Sequence, residues 1–149
     1  MLTKKGKYGL KALVHLSRLE PGESELVSNI AEANGIPKKF LDAILGELRN
    51  GGFLFSKKGK GGGYMLARAA EEISIGEVVR TLDGPLAPIP CASSRFYQPC
   101  QDCGNQEACA VRLMMLEVRE AISGVLDNRT LADMRLMAQQ AKTEFDYHI

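Results

Sequence analysis

The chain of 149 residues lacks several features on which whole classes of protein depend. It has no tryptophan, only two histidines, and no apolar run near the ~18 residues that a membrane span needs. His15 and His148 have no Ser-His-Asp or paired-carboxylate set around them in the sequence, so we do not expect an enzyme. The first residues also lack the apolar core of a secretory signal, and we expect a cytoplasmic protein with no membrane partner.

Charge is divided unequally along the chain, although the net charge of +1 indicates nothing by itself. Residues 1–66 hold 11 lysines and arginines against 6 acidic residues, whereas residues 67–149 hold 8 against 12. This split suggests a domain that binds a polyanion, followed by a region with another role. Chance clustering is the alternative, and charge alone does not exclude it.

Three helices are predicted within the first 50 residues. The first ends before Pro21, the second starts at the N-cap Ser24, and the third starts at Pro37. A short turn at Asn34-Gly35 makes the last two resemble a helix-turn-helix, whose second helix enters the DNA major groove. The third helix has an apolar face of Phe40, Leu41, Ile44, Leu45 and Leu48, opposite Lys39, Asp42, Ala43, Gly46 and Asn50.

A β-hairpin is predicted next, with strands over 53–57 and 63–66 and a glycine-rich, basic tip between them. Glycine lets the backbone approach a phosphate or enter a narrow minor groove, where the lysines supply charge. The predicted fold is therefore mainly α with a small β-hairpin, a winged helix-turn-helix domain. A nucleotide phosphate loop is the alternative, but the G-x-x-x-x-G-K-[ST] spacing and the following helix are absent.

These elements predict a surface for double-stranded DNA. Positive side chains of the third helix would contact phosphates or guanine edges, and Asp42 would accept from a cytosine amino group. The expected DNA-binding residues are Lys4, Lys38, Lys39, Asp42, Arg49, Lys58, Lys60 and Gly61.

All four cysteines fall within 19 residues, with the spacing Cys-x8-Cys-x2-Cys-x5-Cys. In a reducing cytosol such clustering favours a metal site over disulfides. Thiolates are soft ligands that favour zinc or an iron–sulfur cluster. The expected metal ligands are Cys91, Cys100, Cys103 and Cys109.

The sequence predicts a DNA-binding domain over 1–82, followed by a cysteine-rich loop over 83–109. A long helix over 110–127 and a short helix with a loose tail over 128–149 complete the chain. The long helix carries a wide apolar stripe at alternating four- and three-residue steps. We expect the stripe to pair with its copy in a homodimer. The alternative is that it packs wholly within its own chain. The stripe comprises Val111, Met115, Val118, Ile122 and Val125.

The chain resembles the Rrf family of bacterial winged-helix transcription regulators (IscR-, NsrR-, RirA- and CymR-like proteins) over nearly its whole length. The matching segments are residues 2–8, the third helix over 36–48, the wing Lys58-Gly59-Lys60-Gly61-Gly62-Gly63-Tyr64 and the Cys103-x5-Cys109 spacing. The resemblance implies a homodimer on a pseudo-palindromic operator. In many members it also implies a cluster held by three cysteines.

The chain departs from that pattern where other members place a fourth ligand. Arg112 stands where some have histidine, and Lys7 and Lys11 stand where others draw a ligand from the partner's first helix. We infer that all four cysteines hold one 2Fe–2S or 4Fe–4S cluster. Three ligands and a spare, Cys91 or Cys100, is the alternative.

The predicted function is a dimeric transcriptional regulator whose operator affinity is controlled by the cluster, through iron, redox or nitric oxide sensing. A zinc-stabilised or thiol-based redox regulator is one alternative. A small thiol oxidoreductase or electron carrier using Cys100-x-x-Cys103 is another, although it leaves the basic wing without a purpose.

Overall fold

The computed structural model describes residues 2–148. Its helices are α1 (Lys4–Ser17), α2 (Val27–Asn34), α3 (Lys38–Asn50), α4 (Ile75–Asp83), α5 (Ala110–Leu126) and α6 (Leu131–His148), and its strands are β1 (Leu54–Lys57) and β2 (Gly63–Leu66). Two short 3₁₀ turns, Ala70–Glu72 and Pro90–Ala92, lie between them. Within the described residues no helix is both long and apolar enough to cross a membrane.

A single hydrophobic core joins α1, α3, α4 and the base of the hairpin. Leu41, Ile44, Leu45 and Leu48 of α3 are buried, so the face predicted to point inward does so. Phe40 is the exception, because it is 44% exposed and packs edge-to-face against Tyr8 at the rim of the core.

The hairpin has the predicted strands, paired antiparallel from Leu54 opposite Leu66 to Lys57 opposite Gly63. We call this hairpin, residues 54–66, the wing. With α2 and α3 it completes a winged helix-turn-helix, as predicted from the sequence.

Helix α2 starts two residues later than predicted. Ser24 does not cap it, and the N-cap is Leu26, which makes no side-chain capping bond. The Ser24 hydroxyl instead donates to the Gly61 carbonyl, 2.8 Å away. Glu25 exchanges two backbone hydrogen bonds with Tyr64, so residues 24–25 hold the wing and are not free to enter the helix.

The prediction of a short C-terminal helix and loose tail was wrong. Helix α6 runs for 18 residues, and its first turn belongs to the hydrophobic core shared with α1, α3 and α4, where Leu131 is fully buried. A capping box starts it: Thr130 N–H donates to the Asp133 carboxylate, and Asp133 N–H donates to the Thr130 hydroxyl. Of the predicted tail, Ile149 lies outside the described residues.

Candidate DNA-binding surface and cysteine cleft

The side chains predicted to contact DNA are all exposed in the structure. On α3, Lys38 and Asp42 form an i,i+4 pair with 3.3 Å between Nζ and Oδ2. Both are exposed, so the pair contributes little to stability and is free to exchange for contacts with DNA. A Cβ at Gly46 would have no atom within 4 Å, so the fold itself does not require glycine there.

The wing is attached to residues 24–25 at the end of its strands that lies next to the tip. Glu25 and Tyr64 exchange backbone hydrogen bonds of 2.9 and 2.8 Å. Gly63 sits against this junction at φ +146°, where a Cβ would lie 2.1 Å from the Glu25 carbonyl oxygen. Beyond it Lys58, Lys60 and Gly61 are exposed, so the tip presents charge to solvent, while the Gly61 carbonyl accepts from the Ser24 hydroxyl.

The start of α1 is joined to α3. The Lys5 ammonium lies 2.7 Å from the Glu47 carboxylate of α3. Lys4, the neighbouring residue, is exposed at the first position of α1.

All four cysteines line one cleft, which we call the cysteine cleft. It encloses about 280 Å³, and its wall also includes Ile89, Asp102, Gln106, Val111 and Arg112. Cys91 is 8% exposed, whereas Cys100 is exposed and Cys103 and Cys109 are half-buried. The chain folds round to bring the thiols to the same cavity, but among residues 2–148 no three metal-binding side chains already converge on one point.

Helix α5 forms the fixed wall of this cleft. Cys109 is its N-cap residue. Arg112 Nε donates to the Cys91 carbonyl oxygen at 2.9 Å, and Arg119 Nη1 donates to the Ala92 carbonyl oxygen at 2.7 Å. Two arginines one heptad apart therefore attach the Cys91 backbone to α5.

The thiols of the cleft differ in acidity. The backbone N–H of Arg112, at the start of α5, lowers the pKa of Cys109. Desolvation raises the pKa of Cys103, and a hydrogen bond with Cys109 raises it further. The hydrogen bond to Asp102, 2.7 Å from Cys100 Sγ to Oδ1, raises the pKa of Cys100. Among these three, the thiolate form is therefore most accessible at Cys109.

Helix α5 is only partly covered by its own chain, since Met115, Val118 and Ile122 of the predicted stripe are half-buried. No residue of α5 is buried, and Val111 and Val125, the two ends of the predicted stripe, are 62% and 59% exposed. The alternative that the stripe packs wholly within its own chain therefore does not hold. Exposed apolar surface of this extent is typical of a protein–protein interface.

Comparisons with known proteins agree with this architecture. The Rrf2 family, described as an iron-dependent transcriptional regulator, matches residues 2–135. The chain belongs to the Rrf2 family of transcriptional regulators. It is 43% identical over 137 residues to an rrf2-like HTH-type transcriptional regulator of Rhodobacter capsulatus, covering 90% of this chain and 91% of that protein.

Two further members are similar along almost their full length. CymR of Bacillus subtilis is 26% identical over 148 residues, 99% of each chain. Its solved structure, described as that of the global cysteine regulator, superimposes with a TM-score of 0.76 at 28% identity, covering 92% of this chain and 97% of CymR. The structure of T. potens IscR superimposes with a TM-score of 0.74 at 28% identity, covering 95% and 90%. The predicted family and winged-helix fold are confirmed.

Sequence reasoning missed the arginine anchors of the cleft. From the sequence, Arg112 was identified only as the residue that replaces a histidine ligand, and no role was assigned to Arg119. The available signal was their seven-residue spacing on α5 just after Cys109, which places both on one face of the helix.

Proposed function

We propose that this Rrf2-family regulator acts as a homodimer whose affinity for a pseudo-palindromic operator is set by an iron–sulfur cluster. The observation that carries the proposal is that Cys91, Cys100, Cys103 and Cys109 all line one cleft beside α5. No acid–base pair or nucleophile takes part in this account, in which the chain is a regulator and not an enzyme.

The donor set fits an iron–sulfur cluster. Four thiols are the ligands that such clusters take, and soft sulfur donors disfavour hard cations. Cys91, Cys100, Cys103 and Cys109 would hold the cluster, which would supply a centre sensitive to iron supply, oxidation and nitric oxide. Gathering the thiols requires the exposed Cys100 to move inward, because Cys91 is already anchored.

The DNA-binding part of the proposal rests on shape and charge. Helix α3 presents Lys38, Lys39 and Arg49 on its exposed face, and the wing presents Lys58 and Lys60. In a two-fold dimer the two α3 helices would enter the major groove about one helical turn apart, ~34 Å. The wing would follow the backbone beside the minor groove.

The proposed homodimer rests on the exposed apolar residues of α5, among them Val111 and Val125. These residues need cover, and a second copy of the same helix supplies it with two-fold symmetry. The cysteine cleft shares α5 with this interface, through the bonds of Arg112 and Arg119 to the Cys91 and Ala92 carbonyls. A change in the ligation of the thiols therefore acts on the helix that would set the separation of the two DNA-binding domains. A tenfold change in affinity needs only ~1.4 kcal/mol.

The test is an anaerobic purification followed by a visible spectrum with iron and sulfide analysis. We expect a coloured protein with iron and sulfide in matching amounts, and loss of the visible absorption in Cys103→Ala and Cys109→Ala. Gln101→Ala is the matched control, because Gln101 lies between two of the cysteines but does not line the cleft. Full spectra in both cysteine variants would remove these residues as ligands, and a colourless protein with stoichiometric zinc would contradict the cluster.

A thiol-based redox switch is the second candidate. Cys103 and Cys109 are both half-buried and line the same cleft, so they are the thiols that an oxidant would join as a disulfide. This candidate predicts DNA binding that changes on treatment with a peroxide, in a preparation free of metal. A metal-free protein with identical affinity before and after peroxide would contradict it.

A further inference from the structure

Asp83, which ends α4, spans 80 residues of sequence to hold the start of α1. Thr3 N–H donates to Asp83 Oδ2 at 2.9 Å, and the Thr3 hydroxyl donates to Asp83 Oδ1 at 2.5 Å. The same hydroxyl accepts from Gly6 N–H, which makes Thr3 the N-cap of α1. One carboxylate therefore holds the residue that caps a helix from another part of the chain.

Two glycines make this approach possible. A Cβ at Gly6 would lie 2.2 Å from Asp83 Oδ2, and a Cβ at Gly9 would lie 2.2 Å from Leu82 Cδ1. Both distances are far below contact, so a Cβ at either position would force the Asp83 carboxylate or the Leu82 side chain to move away from α1. The contact is a specific fit between the two helices.

The electrostatics of Asp83 favour α1 over its own helix. A carboxylate at the C-terminus of a helix opposes the helix dipole, whereas one beside an N-terminus stabilises the helix. The first turn of α1 contains no acidic residue and carries Lys4, Lys5 and Lys7. Asp83 supplies the negative charge that this turn lacks.

The position of Asp83 along the chain gives this contact a second role. Gly84, at φ +89°, follows directly, and from there the chain enters the segment that contains the four cysteines. On the other side of the contact lies Lys4, an exposed residue predicted to touch DNA.

We propose that Asp83 is a positioning residue that couples the cysteine segment to the DNA-contacting first turn of α1. The proposal rests on the proposed function. When the segment after Gly84 is displaced, Asp83 at the end of α4 moves with it. Because Thr3 makes two hydrogen bonds to the Asp83 carboxylate, the first turn of α1, which contains Lys4, is displaced as well. The exposed tip of the wing is not part of this route.

The test compares DNA affinity in two states of one protein, loaded with cluster and emptied by a chelator under anaerobic conditions. The probe is a fluorescent duplex selected from a random library by the wild-type protein, and the readout is the ratio of the two dissociation constants. Asp83→Ala and Thr3→Val each remove a partner from the contact. Glu72→Ala is the control, because it removes the same charge from an exposed site in the 3₁₀ turn before α4.

We expect a ratio of at least about tenfold in the wild type and in Glu72→Ala, within the usual range of coupling between sites. In Asp83→Ala and Thr3→Val the ratio falls below about twofold, while the visible spectrum and iron content stay at the wild-type level. A merely structural role would weaken both states equally and leave the ratio unchanged, which would overturn the proposal.

A second measurement does not depend on the cluster. Amide hydrogen exchange at Gly6 and Lys7 should quicken in Asp83→Ala in both states, because the Thr3 cap loses its support. Unchanged exchange there would overturn the positioning role by itself. A wild-type ratio of one would instead contradict the proposed function, and with it the coupling but not the positioning.

Discussion

Gly63→Ala is the substitution that tests the attachment of the wing most sharply. Gly63 has φ +146°, in a region almost confined to glycine, and its Cβ would lie 2.1 Å from the Glu25 carbonyl oxygen. The strained backbone costs about 1–3 kcal/mol. Displacing Glu25 also breaks its two backbone hydrogen bonds with Tyr64, at about 1 kcal/mol each.

The expected loss of stability is therefore about 4 kcal/mol, which corresponds to a fall in Tm of about 8–16 °C for a chain of this size. Gly61→Ala is the matched control. It also places alanine at positive φ, +78°, but its Cβ would have no atom within 4 Å. We expect it to lose only about 1 kcal/mol, or about 2–4 °C.

Thermal unfolding followed by circular dichroism separates the two variants. If the Tm of Gly63→Ala lies within about 2 °C of the Tm of Gly61→Ala, then Gly63 does not pack against the Glu25 carbonyl as the structure has it. The claim that Glu25 fixes the wing through Gly63 and Tyr64 would then be refuted, whatever either variant does to DNA binding.

Two further predictions concern the DNA and dimer surfaces. Lys58→Ala with Lys60→Ala should weaken binding to every duplex and flatten its dependence on salt concentration, because fewer counterions are released; an unchanged salt slope would count against contact by the wing. Ile122→Asp should convert the dimer to monomers, since it places a charge in the middle of the apolar stripe of α5. A dimer that survives in sedimentation would contradict the pairing of these helices.

Much of the fold could be predicted from local sequence patterns. Helix α5 begins at the predicted residue, Ala110, and ends at Leu126, one residue before the predicted end. The hairpin strands differ from the prediction by one residue at most. These elements have strong periodicity and glycine-rich boundaries, so local preferences and tertiary packing agree. The family resemblance rested on the wing together with residues 2–8, the third helix and the Cys103-x5-Cys109 spacing.

Errors arose where a tertiary contact outweighed a local preference. Ser24 has the chemistry of an N-cap, but its hydroxyl is used by the wing. The length of α6 was underestimated because its second half is largely polar, and its start is fixed by a capping box and by Leu131 in a distant core. Asp83 carried no signal at all, because a bond between residues 3 and 83 has no sequence pattern.

The central claim is that the presence of a cluster in the cysteine cleft controls the affinity of the protein for DNA. Its most direct test is the affinity of one oxygen-protected preparation for a labelled duplex, measured at a single salt concentration before and after the cluster is removed. We predict dissociation constants that differ by at least about tenfold. Equal constants in the two states would contradict the account.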